Sequence, residues 1–166
     1  MVSSPETNGI KLELLAPAKD LASGKLAIEA GADAVYIGPA KYGARASAGN
    51  STADIASLCR YAHLFRTRVY ATVNTLLYNE ELSDALQLII DLYEAGVDAI
   101  IFQDLAVLSM QLPPVPLIAS TQTNNTDAGW IAFLESQGVS RVILARELSL
   151  DEVKEIRTKT KCELEF

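Results

Sequence analysis

"EAGADAVYIG" (residues 29–38), "EAGVDAIIFQ" (94–103) and "SQGVSRVILA" (136–145) are three copies of one joint. In each copy a helical segment ends at a glycine, and an apolar, β-prone run begins directly after it. Glycine suits this position because it adopts, at no steric cost, the left-handed conformation that ends many helices. The three glycines are 65 and 42 residues apart, and each interval holds two strand–helix units. The joint therefore predicts a chain built from repeated βα units.

Seven short β-prone runs alternate with six helical patterns along the chain. Most of the runs are continuous stretches of Val, Ile and Leu, which is typical of strands covered on both faces and favours a parallel sheet. The runs are "LELLAP" (12–17), "DAVYIG" (33–38), "RVYATVNT" (68–75), "DAIIFQD" (98–104), "PLIAST" (116–121), "RVILAR" (141–146) and "ELEF" (163–166).

The helical patterns carry apolar stripes and start signals. One stripe has the spacing i, i+3, i+4, i+7 and consists of Ile55, Leu58, Cys59 and Ala62. A longer stripe of the same kind consists of Leu82, Leu86, Ile89, Ile90 and Tyr93. Ser149 and Glu152 have the spacing of a capping box, so the last helix is predicted to start there.

Both a Rossmann-type sheet and a (β/α)8 barrel alternate strand and helix in this way. No G-x-G-x-x-G follows any of the runs, and the near-equal repetition favours the barrel. A complete barrel has eight strands and about 250 residues. The sequence thus predicts an α/β fold, a TIM-type (β/α)8 barrel truncated after about six and a half βα units. We expect residues 1–10 to be a flexible N-terminus and 11–166 to be the incomplete barrel domain.

The amino-acid composition and the net charge exclude several classes of protein. Apolar residues make up 49% of the chain and charged residues 21%, as in ordinary globular proteins. A net charge of −7 argues against a broad basic face that grips nucleic acid. No apolar window reaches the length of a membrane span, and the N-terminus lacks the layout of a signal peptide. These features predict a cytoplasmic protein that has no membrane partner.

Polar side chains at the ends of the predicted strands give a candidate binding site. In a barrel of this type the active site gathers at the carboxyl ends of the strands. The residues predicted to bind substrate there are Arg45, Asn74, Gln103, Gln122 and Arg146. Guanidinium groups pair bidentately with carboxylates and phosphates, so this mouth could hold a small anionic molecule.

Each of these residues also has a structural interpretation that the sequence leaves open. Arg45 or Arg146 could neutralise a neighbouring acid such as Asp104 or Glu147. The three amide side chains could orient a ligand, or they could satisfy the backbone groups of loops. These residues therefore predict only that the barrel binds a small anionic ligand, and they do not predict a reaction.

The histidine and the two cysteines of the chain do not form a recognisable catalytic or metal-binding pattern. His63, the single histidine, is predicted on the second helix in the outer ring, too far from the mouth for a catalytic triad. Cys59 belongs to an apolar stripe, Cys162 precedes the last strand, and the two have no metal-ligand spacing. Glu165 lies within the last run. Catalytic residues are therefore left unassigned, and no metal ligands are predicted.

Seven short motifs occur in an order that is characteristic of one family. They are "ELLAPA" (13–18), "GADAVYIG" (31–38), "GARASAGN" (43–50), "VNT" (73–75), "QD" (103–104), "STQ" (120–122) and "VILARELSLDEV" (142–153). With these motifs the chain resembles the collagenase-like peptidase family of unknown catalytic type, number 32 of the U class. The resemblance covers nearly the entire chain and identifies it with the N-terminal barrel segment of that family.

The resemblance to this family implies a cofactor and several functions. The residues of this chain, taken alone, imply neither. In that family the strand ending "ELEF" continues into a His-Gly pair and a cysteine-rich region thought to hold an iron–sulfur cluster. Cys59 and Cys162 match none of those positions, so a cluster is expected only from residues beyond Phe166. Some members resemble oxygen-independent hydroxylases that act on transfer RNA, ribosomal RNA or a quinone precursor, and the RNA-modifying ones are associated with the dicarboxylate prephenate. The resemblance implies that Arg45 of "GARASAGN" and Gln122 of "STQ" are the first candidates for functional residues. Asn74 and Arg146 are the next candidates.

Three functions follow as expectations. The first is that the full-length protein is an iron–sulfur, oxygen-independent RNA hydroxylase using a small dicarboxylate such as prephenate, with RNA as its partner. The second, from the family name, is a protease or collagenase that hydrolyses proteins. The third is a non-catalytic scaffold or interaction module. In every case we expect the isolated fragment to be inactive and, because strand edges are exposed, to form a homo-oligomer.

Overall fold

The computed structural model of the protein describes residues 6–7, 10–44 and 49–166. Its centre is a seven-stranded parallel sheet in which the strands follow one another in chain order. These strands are β3 (Leu15–Ala18), β4 (Ala34–Ile37), β5 (Arg68–Val73), β6 (Ala99–Phe102), β7 (Leu117–Ala119), β8 (Arg141–Ile143) and β9 (Glu163–Glu165). The sheet curls into a partial barrel, which confirms the predicted truncated (β/α) barrel.

A small antiparallel pair precedes this sheet. It consists of β1 (Glu6–Thr7) and β2 (Ile10–Lys11). Each of the seven predicted runs overlaps one strand of the main sheet, and six of these strands lie wholly within their runs, whereas β3 extends one residue beyond its run to Ala18. The first strand covers only the end of the run at 12–17, because Leu14 pairs with Asp33 through its backbone N–H and carbonyl rather than joining the ladder.

Five α-helices cover the outside of the sheet in the described part of the chain. They are α1 (Leu21–Glu29), α2 (Thr52–Leu64), α3 (Leu82–Glu94), α4 (Ala128–Ser136) and α5 (Leu150–Lys159). Between β6 and β7 the predicted sixth helix is replaced by a 3-10 segment, Leu105–Ser109. The reason lies in "PPVP" at 113–116: proline lacks a backbone N–H and disfavours the α conformation in the residue before it. Of the six predicted helical patterns, the one at this connection is a short 3-10 segment and not an α-helix.

The repeated joint has the predicted backbone geometry. Gly31, Gly96 and Gly138 follow the ends of α1, α3 and α4 with φ angles of 101°, 94° and 88°. In each case the chain turns directly into the next parallel strand. The joint thus sets the spacing between one helix and the strand that follows it.

Apolar packing occurs on both faces of the sheet. The larger cluster lies between the sheet and the helices and includes the predicted α2 stripe, whose members are all 0–1% exposed. On α3 the buried residues are Ala85, Ile89 and Leu92, whereas Tyr93, predicted on the stripe, is 39% exposed. A smaller cluster fills the inside of the curl and consists of Ala34, Tyr70, Ala99, Ile101 and Ile118. No helix in the described ranges is long and apolar enough to cross a membrane.

Candidate functional site

A cavity of about 1090 Å³ opens at the carboxyl ends of the parallel strands. Its walls come from all seven strands of the main sheet or the residues that directly follow them, and from the first turn of α5. Tyr36, Ile101 and Ile143 give it apolar inner walls, and Leu148 and Leu150 add apolar surface near α5. The volume suits a small molecule, and the position is the one expected for the site of a (β/α) barrel.

Three of the five predicted binding residues line this cavity. Asn74, Gln122 and Arg146 come from the ends of β5, β7 and β8. Gln103 is half-buried at the end of β6 and is not among the lining residues. Arg45 lies outside the described residues. The role of all five in ligand binding stays a prediction.

Asn50, which lies just before α2, is attached to the residues that follow β3 and β4. Its side-chain amide donates hydrogen bonds of 2.9 Å to the backbone oxygens of Lys19 and Gly38, and the side chain is buried. Asn74 contributes to the same attachment, since its Oδ1 accepts a hydrogen bond from the backbone N–H of Ala44 at 3.0 Å. Asn74 therefore has one amide oxygen engaged in the loop, and it lines the cavity as well.

Gly38 allows this loop to pass close to β5. A Cβ atom built on Gly38 would lie 3.2 Å from Thr72 Oγ1, which is closer than ordinary van der Waals contact. The glycine thus lets the end of β4 approach a polar side chain that also lines the cavity. This close approach is a packing reason for glycine in the motif "VYIG".

The wall formed by β7 and β8 depends on Asn125, which the sequence analysis did not select. Its side chain is fully buried, and Nδ2 donates hydrogen bonds of 2.8 Å to the backbone oxygens of Ser120 and Ile143. Its Oδ1 accepts a hydrogen bond from the Thr123 hydroxyl at 2.6 Å. Asn125 thereby joins the ends of two neighbouring strands beneath the cavity. Its place in "STQTNN" after a strand was the available signal, but nothing there separates Asn125 from Asn124.

Charged side chains in the cavity wall are few. Among the described lining residues they are Lys19, Arg146 and Glu165. Arg146 forms no salt bridge with any described residue, and Asp104 instead accepts hydrogen bonds from the backbone N–H groups of Leu77 and Ala106. The structural interpretation that pairs Arg146 with Asp104 or Glu147 is thus not the arrangement seen. Lys19 was missed, although it directly follows a strand just as the selected residues do.

Beneath the cavity, at the amino ends of the strands, an ionic cluster fills the barrel. Arg141 donates to Glu163 through Nε at 2.8 Å and through Nη2 at 2.5 Å, and to Glu13 through Nη1 at 2.5 Å. The Tyr70 hydroxyl lies 3.1 Å from both Glu13 oxygens, and Arg68 pairs with the same carboxylate. Burial alone lowers the pKa of Arg141, but the hydrogen bonds to Glu13 and Glu163 outweigh it and leave that pKa raised. Arg141 therefore stays charged.

The remaining reactive side chains lie away from the cavity. His63 is at the end of α2, where its Nε2 is 3.0 Å from Asp98 Oδ2, and Asp98 precedes β6 at the opposite end of the barrel. Burial raises the pKa of the Cys59 thiol to about 12 and also raises the pKa of Cys162. Both thiols are buried, and neither is an activated nucleophile.

The described residues do not fit an iron–sulfur cluster. A cluster is held by several cysteine thiolates brought to one point. Here Cys59 packs in the core and the Cys162 thiol donates to the Val139 oxygen at 3.2 Å. No group of three or more metal-ligating side chains occurs in the described part of the chain. Any cluster would therefore need ligands from elsewhere in a longer protein.

The fold and the cavity define a class: a (β/α)-barrel protein with a cavity at the carboxyl ends of its strands. The sequence profile described as "Peptidase family U32" matches residues 19–166. The chain belongs to this family, as the sequence motifs predicted.

Two relatives have names that refer to RNA modification. The chain is 46% identical over 156 residues to the "23S rRNA 5-hydroxycytidine C2501 synthase" of Escherichia coli, covering 94% of this chain and 24% of that protein. It is 35% identical over 159 residues to the "tRNA hydroxylation protein P1" of Bacillus subtilis, covering 93% of this chain and 38% of that protein. The chain thus spans well under half the length of these two relatives.

A solved structure supports the fold. The structure of a U32 peptidase superposes on the chain with a TM-score of 0.75 and 16% sequence identity, covering 98% of this chain and 70% of that one. At this level of identity the likeness concerns the fold alone.

Proposed function

We propose that the protein containing this chain takes part in hydroxylating a nucleoside of ribosomal or transfer RNA. The observation that carries the proposal is the 46% identity to a 23S rRNA 5-hydroxycytidine synthase, which extends over 94% of this chain. The family model matches residues 19–166, which include the strands β4 to β9 of the barrel. A shared activity would account for that extent of similarity.

Within this function the barrel binds a small dicarboxylate such as prephenate. Lys19 and Arg146 supply positive charge at the mouth, in a chain whose net charge is −7. Arg45, which belongs to the motif "GARASAGN", is proposed as a further guanidinium at this site. Gln122 and Asn74 orient the ligand through their amides. Two carboxylates are recognised well by guanidinium groups because the paired N–H donors match their geometry.

The reaction itself also needs a redox group. We propose that an iron–sulfur cluster, held by cysteines outside this chain, supplies electron transfer in the complete protein. Residues of this chain position the small acid and keep it apart from bulk water. RNA is contacted by other parts of the protein, because the charge of this chain does not favour a broad nucleic-acid surface.

The test is a comparison of RNA nucleosides. Mass spectrometry of digested ribosomal and transfer RNA is compared between a wild-type strain and a strain that lacks the gene. We expect one hydroxylated nucleoside to disappear and to return with a plasmid copy. Persistence of every hydroxylated nucleoside in the deletion strain would contradict the proposal.

Binding of the small acid is tested separately with purified protein. Titration calorimetry with prephenate is expected to show binding that weakens at least about tenfold in Arg146→Ala, since one charge-assisted contact contributes about 1.5–3 kcal/mol and about 1.4 kcal/mol corresponds to a factor of ten. Arg66→Ala, an exposed arginine that follows α2 and does not line the cavity, is the control and should leave the affinity unchanged. Equal affinities of the wild-type and Arg146→Ala proteins would contradict this part of the proposal.

Hydrolysis of proteins is a second candidate function, because the family is described as a peptidase family. Against it, the single histidine is paired with Asp98 at the other end of the barrel, and both thiols are buried. Incubation of the purified protein with gelatin provides the comparison. Cleavage that is lost in Arg146→Ala would favour a protease over the RNA function.

A further inference from the structure

Two side chains connect neighbouring strand ends of the barrel but do not line the cavity. Asp104 lies two residues after β6, and Asn125 lies in the connection between β7 and α4. Neither is among the residues that line the cavity, and the Asn125 side chain is fully buried. Any effect of these two side chains on a bound ligand therefore acts through the residues that they hold.

The carboxylate of Asp104 holds the connection that follows β5. Its Oδ2 accepts a hydrogen bond from the backbone N–H of Leu77 at 2.9 Å, and its Oδ1 accepts one from the backbone N–H of Ala106 at 2.9 Å. Leu77 packs against the main core and follows the cavity residue Asn74 by three positions. The two oxygens of Asp104 thus fix the chain just beyond Asn74 to the end of β6.

Asn125 holds the wall formed by β7 and β8, and it does so as a hydrogen-bond donor. Its Nδ2 donates to the backbone oxygens of Ser120 and Ile143, both at 2.8 Å. Two carbonyl oxygens at this distance require an N–H donor, which fixes the orientation of the amide. Ser120 precedes Gln122 by two positions, Ile143 precedes Arg146 by three, and both Gln122 and Arg146 line the cavity. One buried side chain therefore sets the backbone before both of these residues.

We propose that Asp104 and Asn125 are positioning residues. They set the backbone that carries the cavity residues Asn74, Gln122 and Arg146 before a ligand binds, and they do not contact the ligand themselves. Groups that are fixed in advance need less ordering when a ligand binds, and small displacements of such groups reduce reaction rates by about a hundredfold. This inference rests on the proposed function for its activity measurement, and it adds two residues to which that function assigns no role.

The two side chains have opposite hydrogen-bonding roles, so exchanging aspartate and asparagine separates these roles from the filling of space. Asp104→Asn has nearly the same shape and keeps one acceptor oxygen for a backbone N–H. Asn125→Asp removes both N–H donors and places a carboxylate against two carbonyl oxygens. We therefore expect Asp104→Asn to retain part of the activity that Asp104→Ala loses, and Asn125→Asp to be as impaired as Asn125→Ala.

Amide hydrogen exchange of the complete gene product measures whether the strand ends are held. In Asp104→Ala we expect the backbone N–H groups of Leu77 and Ala106 to exchange about tenfold faster than in the wild type, as loss of one hydrogen bond allows. In Asn125→Ala we expect a similar increase at the backbone N–H of Gln122, which donates to the Ser120 hydroxyl at 3.2 Å. Exchange in the amino-end half of the barrel should stay unchanged.

Thr67→Val is the matched control, because it removes a buried hydroxyl that donates to the Ala32 oxygen at 3.1 Å, at the amino end of the barrel. The gene-deletion strain receives full-length copies of each variant at equal and limiting protein level, and mass spectrometry measures the hydroxylated nucleoside. We expect Thr67→Val to restore the wild-type amount. Asp104→Ala and Asn125→Ala should each restore less than a tenth of it.

Unchanged exchange in either alanine variant would overturn the proposal, as would restoration equal to that of Thr67→Val. Equal restoration by Asp104→Asn and Asn125→Asp would show that the two side chains act through their volume alone, and it would overturn the proposal as well. Failure of the wild-type copy to restore any nucleoside would instead contradict the proposed function. The exchange measurements need no activity, so they would then decide the positioning roles by themselves.

Discussion

Arg141 joins parts of the chain that are 128 residues apart in sequence. Glu13 precedes the first strand of the main sheet and Glu163 lies in the last one, and the Arg141 guanidinium binds both. It therefore connects the two outer strands of the sheet through the barrel interior. The Arg141 side chain is 10% exposed, so solvent does little to replace these contacts.

Substitution of Arg141 is expected to destabilise the fold strongly. Arg141→Met leaves the Glu13 carboxylate without its buried partner, a change that typically costs about 3–5 kcal/mol of unfolding free energy. Urea denaturation measures the loss. Arg68→Met is the matched control because Arg68 pairs with the same carboxylate but is 50% exposed, so its cost should stay near or below about 1 kcal/mol. Similar losses in the two variants would contradict the assignment of Arg141 as the central contact.

The buried carboxyl group of Glu165 leads to a prediction about how folding stability depends on pH. Its folded-state pKa is raised from the ordinary value of 4.5 by burial, so ionisation opposes folding and stability falls as pH rises through the raised pKa. Glu165→Gln cannot ionise and should be more stable than the wild type at pH 7. The difference should shrink as pH falls toward 4.5 and below.

Denaturation at several pH values measures this difference, and Glu152 supplies a control of opposite sign. The Ser149 hydroxyl and backbone N–H lower the pKa of Glu152, so its carboxylate stabilises the fold above pH 4.5 and loses this effect as pH falls through the lowered pKa. Glu152→Gln should therefore be less stable than the wild type at pH 7. A lower stability of Glu165→Gln at neutral pH would show that the carboxylate is satisfied in the folded protein.

At the scale of elements, local sequence signals predicted that the helices and strands exist more accurately than they predicted the residues where each begins and ends. The glycine joints and the Ser149–Glu152 capping box are present as predicted because each depends on a few adjacent residues. The connection that holds Leu105–Ser109 was counted among the six helical patterns, but the prolines that follow limit it to a 3-10 turn. The buried face of α3 also differs from its predicted stripe, since the neighbouring elements decide which side is covered.

Asn125 fixes two strand ends, and its loss should loosen the cavity wall. Asn125→Ala removes the side-chain donor to the Ile143 oxygen and one of the donors to the Ser120 oxygen, which keeps those from Thr123, and loss of such a buried contact costs about 1–3 kcal/mol. Thermal or urea unfolding measures the change. Asn79→Ala, at an exposed position before α3, is the control and should change stability by less than about 0.5 kcal/mol. Equal effects would contradict the structural role of Asn125.

For the whole molecule, repetition of the βα unit was sufficient to predict the barrel, because each joint directs the chain into another parallel strand. The site was predictable only in part. Asn74, Gln122 and Arg146 follow from the rule that strand ends face the mouth. The ionic cluster was not predictable, since it arises from contacts between residues far apart in sequence.

The two outer strands of the main sheet, β3 and β9, each have one neighbouring strand in the described part of the chain. Exposed edges of this kind offer backbone N–H and carbonyl groups to another chain. We therefore predict that the isolated 166-residue chain forms a homo-oligomer, measured by sedimentation velocity over a dilution series. A single monomeric species at every concentration would contradict this prediction.

The most direct measurement of the central claim, that the cavity at the strand ends supports RNA hydroxylation, combines a mouth variant with nucleoside analysis. The gene-deletion strain receives full-length copies carrying Arg146→Glu or, as a control with the same charge change away from the cavity, Arg66→Glu. Mass spectrometry then quantifies the hydroxylated nucleoside that the deletion removes. We predict that Arg66→Glu restores it and that Arg146→Glu, at equal protein level, restores less than a tenth. Full restoration by Arg146→Glu would contradict the claim.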